Sequence, residues 1–461
     1  VDDTNIPSEI FRFFSLEEGQ TLLVKGFPGT GKTTLAFEIM NALCEEKNGM
    51  YISTRVDPKR LFATFPWMKD TIPSKNVINA TQAKLTSSLR EWMDKLEGAA
   101  TYDSVLGFFK LLFDEAEETE NPMIVIDSWD AMMNYTAHII GGARQSFEQN
   151  MCEFARDLGI HLIFVSEFAE LMPLDYIVDG VVTMEQIKLL GGGTGDVLSR
   201  DMRARYAREI RLDKLRGVEI KQRSYTCTLH GGRFRYFEPY QEQGETRIKG
   251  AGNRIPDPAE DCISTGVPDL DRIITPLKYG SCNVMEIGQG VGKRYYQILT
   301  ALASNALRNG RGVFLLPSIG YQIQPQDVYV PSNMVVRQAQ GDDLEAWVRE
   351  LIGAWDELRD RTGHPLLNIM GMDAAEFAFG YKEVLNMSNR LASKWKEKND
   401  ISLLVVKTGQ ESINMIIHAA DTYFVVKELN GGLCLYGVIP RTEPYYLTIE
   451  GPNKIHLTPI V

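Results

Sequence analysis

Residues Gly26-Phe-Pro-Gly-Thr-Gly-Lys-Thr33 satisfy every fixed position of the pattern G-x-x-x-x-G-K-[ST]. Such a run can hold nucleotide phosphates, because glycines let the backbone curl until several N–H groups point at one anion. The predicted binding set is Gly26, Pro28, Gly29, Thr30, Gly31, Lys32, Thr33 and Thr34. Lys32 is expected to reach the β- and γ-phosphates, and the Thr33 hydroxyl to ligate magnesium. The positive dipole end of the helix that follows adds to the attraction. The expected ligands are ATP, or a close relative, and magnesium.

A magnesium site of this kind also needs a carboxylate at the end of a buried strand. Met123-Ile-Val-Ile-Asp127 supplies one. An Asp after four apolar residues is also a common turn former; beside the phosphate loop, the metal role for Asp127 is the favoured reading. A further pair of cations lies in Arg211-Leu-Asp-Lys-Leu-Arg-Gly217. Lys214 and Arg216 are two apart on a strand-like segment and so share a face. They can act catalytically, as a phosphate clamp or an arginine finger. They can equally be charges that blunt a strand edge, and spacing leaves both readings open.

The elements that must position these groups alternate between short apolar β-rich runs and amphipathic helical stretches, which implies an α/β fold with a mostly parallel sheet. Strands are expected at Thr21 to Lys25, Asn48 to Thr54, Pro122 to Asp127 and His161 to Ser166, with helices from about Lys32 to Cys44 and over Ser146 to Leu158. Gln241 to Pro258 is polar and rich in Gly and Pro, and reads as a linker. The plan then recurs, with strands at Gly280 to Ile287, Gly312 to Pro317 and Leu366 to Met370 and a helix through Tyr296 to Leu307. A chain of 461 residues accommodates two or three domains. The expected organisation is an ATP-binding domain at 1–240, a linker at 241–258 and a related second domain at 259–461.

Taken together, these residues resemble the KaiC branch of the RecA-superfamily P-loop ATPases, which takes in archaeal KaiC-like proteins and GvpD. GFPGTGKTT (Gly26 to Thr34), IDSWDAM (Ile126 to Met132), VSE (Val165 to Glu167), KLRG (Lys214 to Gly217) and ISTGVPDLDRII (Ile263 to Ile274) carry the likeness. It spans nearly the whole chain as two tandem RecA-like domains. In that family the Lys and Arg of K-[LM]-R-G reach across a subunit boundary to a neighbour's γ-phosphate. The resemblance thus implies that Lys214 and Arg216 act in trans in a homo-oligomer, a hexameric ring with nucleotide between protomers.

Two departures from the family pattern matter. KaiC-type proteins carry a Glu-Glu pair just before a proline after the second strand, where a carboxylate activates water. Aligned on Pro58, this chain has Arg55 and Val56 there, followed by Asp57, which is one position off and shorter; FPW (Phe65 to Trp67) supports the register. A general base must be a carboxylate or its equivalent placed on the water. Asp57 is the candidate left, and slow or absent hydrolysis is expected. In the second half, Gly288-Gln-Gly-Val-Gly-Lys-Arg294 keeps Lys293 but is a residue short and puts Arg294 where the hydroxyl should be. A guanidinium cannot ligate a cation. Met370 falls where Asp127 sits, and Tyr436 to Arg441 does not reproduce K-[LM]-R-G. A pseudo-ATPase domain is expected, with residual phosphate binding at Lys293 left open.

Arg200, Arg203, Arg205, Arg208 and Arg211 form a basic run after the loop Gly191 to Gly195. It suits single-stranded nucleic acid, a ring pore, or a salt-bridging face opposite acidic stretches such as Asp114 to Glu120, and the resemblance to GvpD implies a regulatory role as a further reading; the salt-bridging face is favoured. Net charge is −12, against a protein whose main task is coating nucleic acid. Six scattered cysteines and six unclustered histidines give no metal-ligand spacing. The cysteines read as reduced packing residues of a cytoplasmic protein. The start, Val1 to Glu9, is unlike a secretory signal. No apolar run reaches the roughly 18 residues of a membrane span. The leading expectation is an ATP-binding regulatory or scaffold protein whose first domain controls assembly. The alternative is an active ATPase of the recombinase or DNA-repair type on single-stranded DNA. A phosphotransferase would need a hydroxyl acceptor that the sequence does not identify.

Overall fold

The structure is a computed structural model. It describes residues 4–16, 18–44, 48–80, 122–140, 144–189, 204–240, 254–274, 277–320, 332–341, 343–451 and 454–461. Two compact units emerge: 1–187 with 207–237 and residue 461, and 188–206 with 238–460. Residues 241–253 of the expected linker, the loop Gly191 to Gly195, Arg200, Arg203 and the acidic stretch Asp114 to Glu120 lie outside the described residues.

The described strands of the first unit are β1 (Thr21–Lys25), β2 (Gly49–Ser53), β3 (Val77–Asn79), β4 (Met123–Asp127), β5 (His161–Ser166), β6 (Gly180–Leu189), β7 (Arg205–Leu215), β8 (Ser224–Thr228) and β9 (Arg235–Tyr236). They join in the order β3-β2-β4-β5-β1-β6-β7-β8-β9. From β3 to β6 every pairing is parallel, while β7 to β9 pair antiparallel. The central runs are apolar throughout because both faces are covered, as parallel sheets require. Alternate residues feed opposite cores: Leu22, Val24, Val125 and Ile163 pack with Ile10, Phe13 and Phe37. Leu23, Ile124, Ile126 and Phe164 pack with Trp129, Phe147 and Met151. The helix Lys32–Leu43 starts at Gly31, whose φ of 106° is open to glycine alone at little cost. The helix Arg144–Asp157 covers the other face.

The second unit repeats this order. Its described strands are β10 (Cys262–Ile263) and β11 (Leu277–Lys278), a small pair, then β12 (Cys282–Ile287), β13 (Val313–Leu316), β14 (Met334–Val336), β15 (Leu367–Gly371), β16 (Ile401–Lys407), β17 (Thr422–Leu429), β18 (Gly432–Ile439), β19 (Tyr445–Gly451) and β20 (Lys454–Pro459). The large sheet runs β14-β13-β15-β16-β12-β17-β18-β19-β20. It is parallel through β17 and antiparallel beyond. The helix Tyr296–Arg308 lies on it, with Ile298, Leu302 and Ala306 in the core. Two α/β domains of RecA-like type are therefore present, each a mostly parallel sheet flanked by helices.

Sheet register corrects one expectation. Asp127 stands opposite Val165, which stands opposite Val24. In the second unit Gly371 stands opposite Val405, which stands opposite Met285. Gly371, not Met370, therefore occupies the place of Asp127. Strand β15 extends one residue past the sequence estimate, because its apolar run does not itself mark where pairing stops.

Candidate nucleotide site

The loop after β1 has the backbone its glycines predict. Gly26 has φ 148°, and a Cβ there would sit 2.2 Å from the Met184 carbonyl oxygen. Gly29 has φ 80° with open space around it, and a Cβ on Gly31 would strike Leu229. Thr30 turns its hydroxyl onto the Phe27 carbonyl at 2.9 Å. Pro28 is exposed at the turn and Thr34 is buried in the first turn of the helix. Lys32 folds back over the loop, donating to the carbonyls of Gly26 at 2.7 Å and Phe27 at 2.9 Å. Burial lowers its pKa, opposed by the charges of Glu167, Asp127 and Asp130. A phosphate taking the place of those carbonyls would meet a partly desolvated cation.

Thr33 and Asp127 meet. The Thr33 hydroxyl donates to Asp127 Oδ2 at 2.6 Å, and the Tyr51 hydroxyl donates to the same oxygen at 2.5 Å. Burial raises the Asp127 pKa, while these two bonds and Lys32 pull it down. Burial raises the Tyr51 pKa too, with Asp127 adding to it, so the phenol stays a donor. A hydroxyl and a desolvated carboxylate side by side are the oxygen donors that a magnesium ion uses through its water shell. Together with the open cradle at Gly29, they fit a magnesium nucleotide.

At the end of β2, where the family's carboxylates would stand, Arg55 pairs with Glu167 at 2.5 Å. Val56 offers only its carbonyl, to Ser53. Asp57 caps the helix Pro58–Thr64, accepting from the Lys59 N–H and from Asn79, both at 2.9 Å. Glu167 is held at the end of β5, its N–H on Asp130 at 2.7 Å. Glu167 was legible in sequence only as part of VSE; its action on Lys32 was not.

Lys214, on β7, and Arg216, in the turn just past its end, both bond to residues of the segment 175–179. Lys214 donates to the carbonyls of Val178 at 2.5 Å and Asp175 at 3.2 Å. Arg216 pairs with Asp179 at 2.6 Å and is 59% exposed. Arg208 reaches the phosphate loop itself, donating to the Gly29 carbonyl at 2.8 Å. Arg211 is tied to Glu185 and Asp213. Arg205 donates to the Gly437 and Thr442 carbonyls and lies over Tyr436. All three described members of the basic run therefore bond within the chain. Tyr51 is a site residue that sequence reading missed, and Arg208, named there as part of the basic run, was not expected on the phosphate loop.

In the second unit Arg294 turns back onto its own loop, donating to the carbonyls of Val291 at 3.0 Å, Gly290 at 2.8 Å and Gly431 at 2.7 Å. With Gly371 opposite, this loop brings together neither a hydroxyl nor a carboxylate of the kind Thr33 and Asp127 provide.

A P-loop joined to the strand-end Asp of a parallel sheet, on a plan used twice, defines a tandem RecA-like P-loop protein. Residues 10–212 match the family model described as the P-loop domain of the GvpD gas vesicle protein. Protein GvpD2 of Halobacterium salinarum is 26% identical, over 98% of this chain and 95% of its own. Protein GvpD1 of the same organism is 27% identical, over 99% and 96% respectively. The resemblance to KaiC-like and GvpD P-loop proteins thus holds along nearly the whole chain. Among the described residues no helix is long and apolar enough to cross a membrane.

Proposed function

We propose that this chain is a nucleotide-switched regulatory protein of gas-vesicle systems, the setting named by its relatives. Magnesium-ATP at Gly26–Thr34, Lys32 and Asp127 sets the homo-oligomeric state, and hydrolysis is slow or absent. Lys214 and Arg216 complete a neighbour's site in a ring, which the 59% exposure of Arg216 permits. The second unit serves as a pseudo-ATPase scaffold, joined through a linker at 241–258, and the protein acts in the cytoplasm. The observation that carries this reading is Arg55: a cation paired with Glu167 stands where hydrolysis needs a free carboxylate.

The test measures ATP binding, oligomer size and phosphate release on the same preparation, with and without magnesium. Magnesium-dependent binding that changes oligomer size with little turnover supports the switch. Turnover stimulated by single-stranded DNA, and weakened by salt as phosphate contacts require, would establish the recombinase-like alternative instead.

A further inference from the structure

The second unit keeps a cleft beside its shortened loop, and the charges around it are reversed. Two residues beyond Val165, the partner of Asp127, stands Glu167; two beyond Val405, the partner of Gly371, stands Lys407. The first site therefore sets Lys32 and Arg55 against Asp127, Asp130 and Glu167, two cations to three carboxylates. The second sets Lys293 and Lys407 against Asp373 at the cleft itself, with Glu428 against the loop at Gly290. Behind its wall Glu286 is buried against Thr408 and Tyr423, and Lys427 offsets its charge.

The cleft measures about 310 Å³ and is lined by Gly288, Gly292, Lys293, Tyr295, Lys407 and Thr408 among others. Lys293 is exposed, and its side chain has no partner among the described residues. Lys407 is held by Asp373 at 2.6 Å and by the Ile319 carbonyl at 3.3 Å. Tyr295 is 1% exposed and lines the cleft, with Ser318 and Tyr296 beside its hydroxyl. Arg294, bound to three carbonyls, stiffens the loop without entering the cleft.

We propose that this cleft is a metal-independent anion site for a diphosphate group, free or at the end of a nucleotide. Lys293 and Lys407 supply the positive charge that magnesium supplies in the first unit, and Tyr295 donates its hydroxyl. A site with a net positive charge takes a polyphosphate directly, whereas one with a net negative charge needs a cation to carry it in.

Calorimetric titration of the full chain with inorganic pyrophosphate in EDTA tests this. One pyrophosphate per chain is expected, retained in Lys32→Ala, weakened about tenfold or more in Lys293→Ala or Lys407→Ala, and largely kept in Lys293→Arg. The conservative variant and matching thermal unfolding separate lost binding from lost folding. A parallel titration with ADP in EDTA distinguishes the sources: equal affinity means the phosphates alone are read, tighter ADP binding that a nucleoside is held too. No binding in EDTA, binding abolished by Lys32→Ala, or binding indifferent to Lys293→Ala would overturn the proposal. None of these outcomes bears on whether magnesium-ATP switches the first unit.

Discussion

Thr33 and Tyr51 donate to the same oxygen of Asp127, at 2.6 and 2.5 Å, at the end of strand β4. One carboxylate oxygen is thereby fixed, and under the proposed function the other would face a metal's water shell. Asp127→Asn keeps an acceptor for both hydroxyls and removes only the charge. Magnesium-ATP affinity is expected to fall about 10–100-fold, the range seen when an outer-shell metal partner is lost, while ATP affinity in EDTA stays the same. Equilibrium binding with and without magnesium checks it; an equal loss in both would show a packing role.

Arg55 supplies the second prediction. Its pairing with Glu167 leaves a guanidinium where a base is needed, and Asp57 is occupied as a helix cap. Arg55→Glu with Val56→Glu restores two carboxylates before Pro58. Phosphate release is expected to rise about a hundredfold, the lower range for a positioned general base. Unchanged turnover, with ATP still bound, would mean that something other than the missing base limits the chemistry.

Much of this arrangement was legible in the chain. Strands β1 and β5 end where their apolar runs end, because both faces are buried and the first polar residue marks the sheet's rim. The P-loop and Asp127 were likewise legible from local pattern. What was not legible depends on partners distant in the chain. Tyr51 meets Asp127 across 76 residues, and Arg208 meets Gly29 across 179. Such contacts follow from strand order and register, which hydrophobic period does not encode. The same gap put Met370 where register places Gly371. The antiparallel strands β8 and β9 and the first half of β7 also escaped; β7 alternates in burial along its length and carries Arg205, Arg208, Glu209 and Arg211 before Leu212 and Asp213.

Lys214 and Arg216 give the third prediction. Within the chain Arg216 holds Asp179, but Asp179 also accepts from Arg156 at 2.9 Å and from Thr21 at 2.7 Å. Arg216→Ala should therefore cost no more than about 1 kcal/mol of stability, as for an exposed ion pair. ATP-dependent assembly is expected to fail all the same. Mixing Lys32→Ala with Arg216→Ala protein then separates the roles, because a neighbour's arginine can complete an intact phosphate loop. Recovery of ATP-dependent assembly in the mixture supports action in trans. Its absence, with both proteins folded, would confine Arg216 to its own subunit.

His161 provides the last. It opens β5, accepts the Gln20 N–H at its Nδ1 at 3.1 Å and packs edge-on against Phe14 with ring centroids 5.2 Å apart. Burial pushes its pKa down from 6.5 to about 4. A group whose folded pKa is depressed is protonated first in the unfolded chain, so its contribution is complete above pH 6.5 and drains away as pH falls toward 4. At about 1.4 kcal/mol per unit of separation, the loss is on the order of 3 kcal/mol. His161→Asn keeps an acceptor for Gln20 and cannot titrate. The stability difference between wild type and His161→Asn, taken by urea denaturation at pH 7 and again at pH 4.5, should therefore shift in the variant's favour at the lower pH. A difference that does not move between the two would show that His161 is protonated inside the fold as readily as outside it.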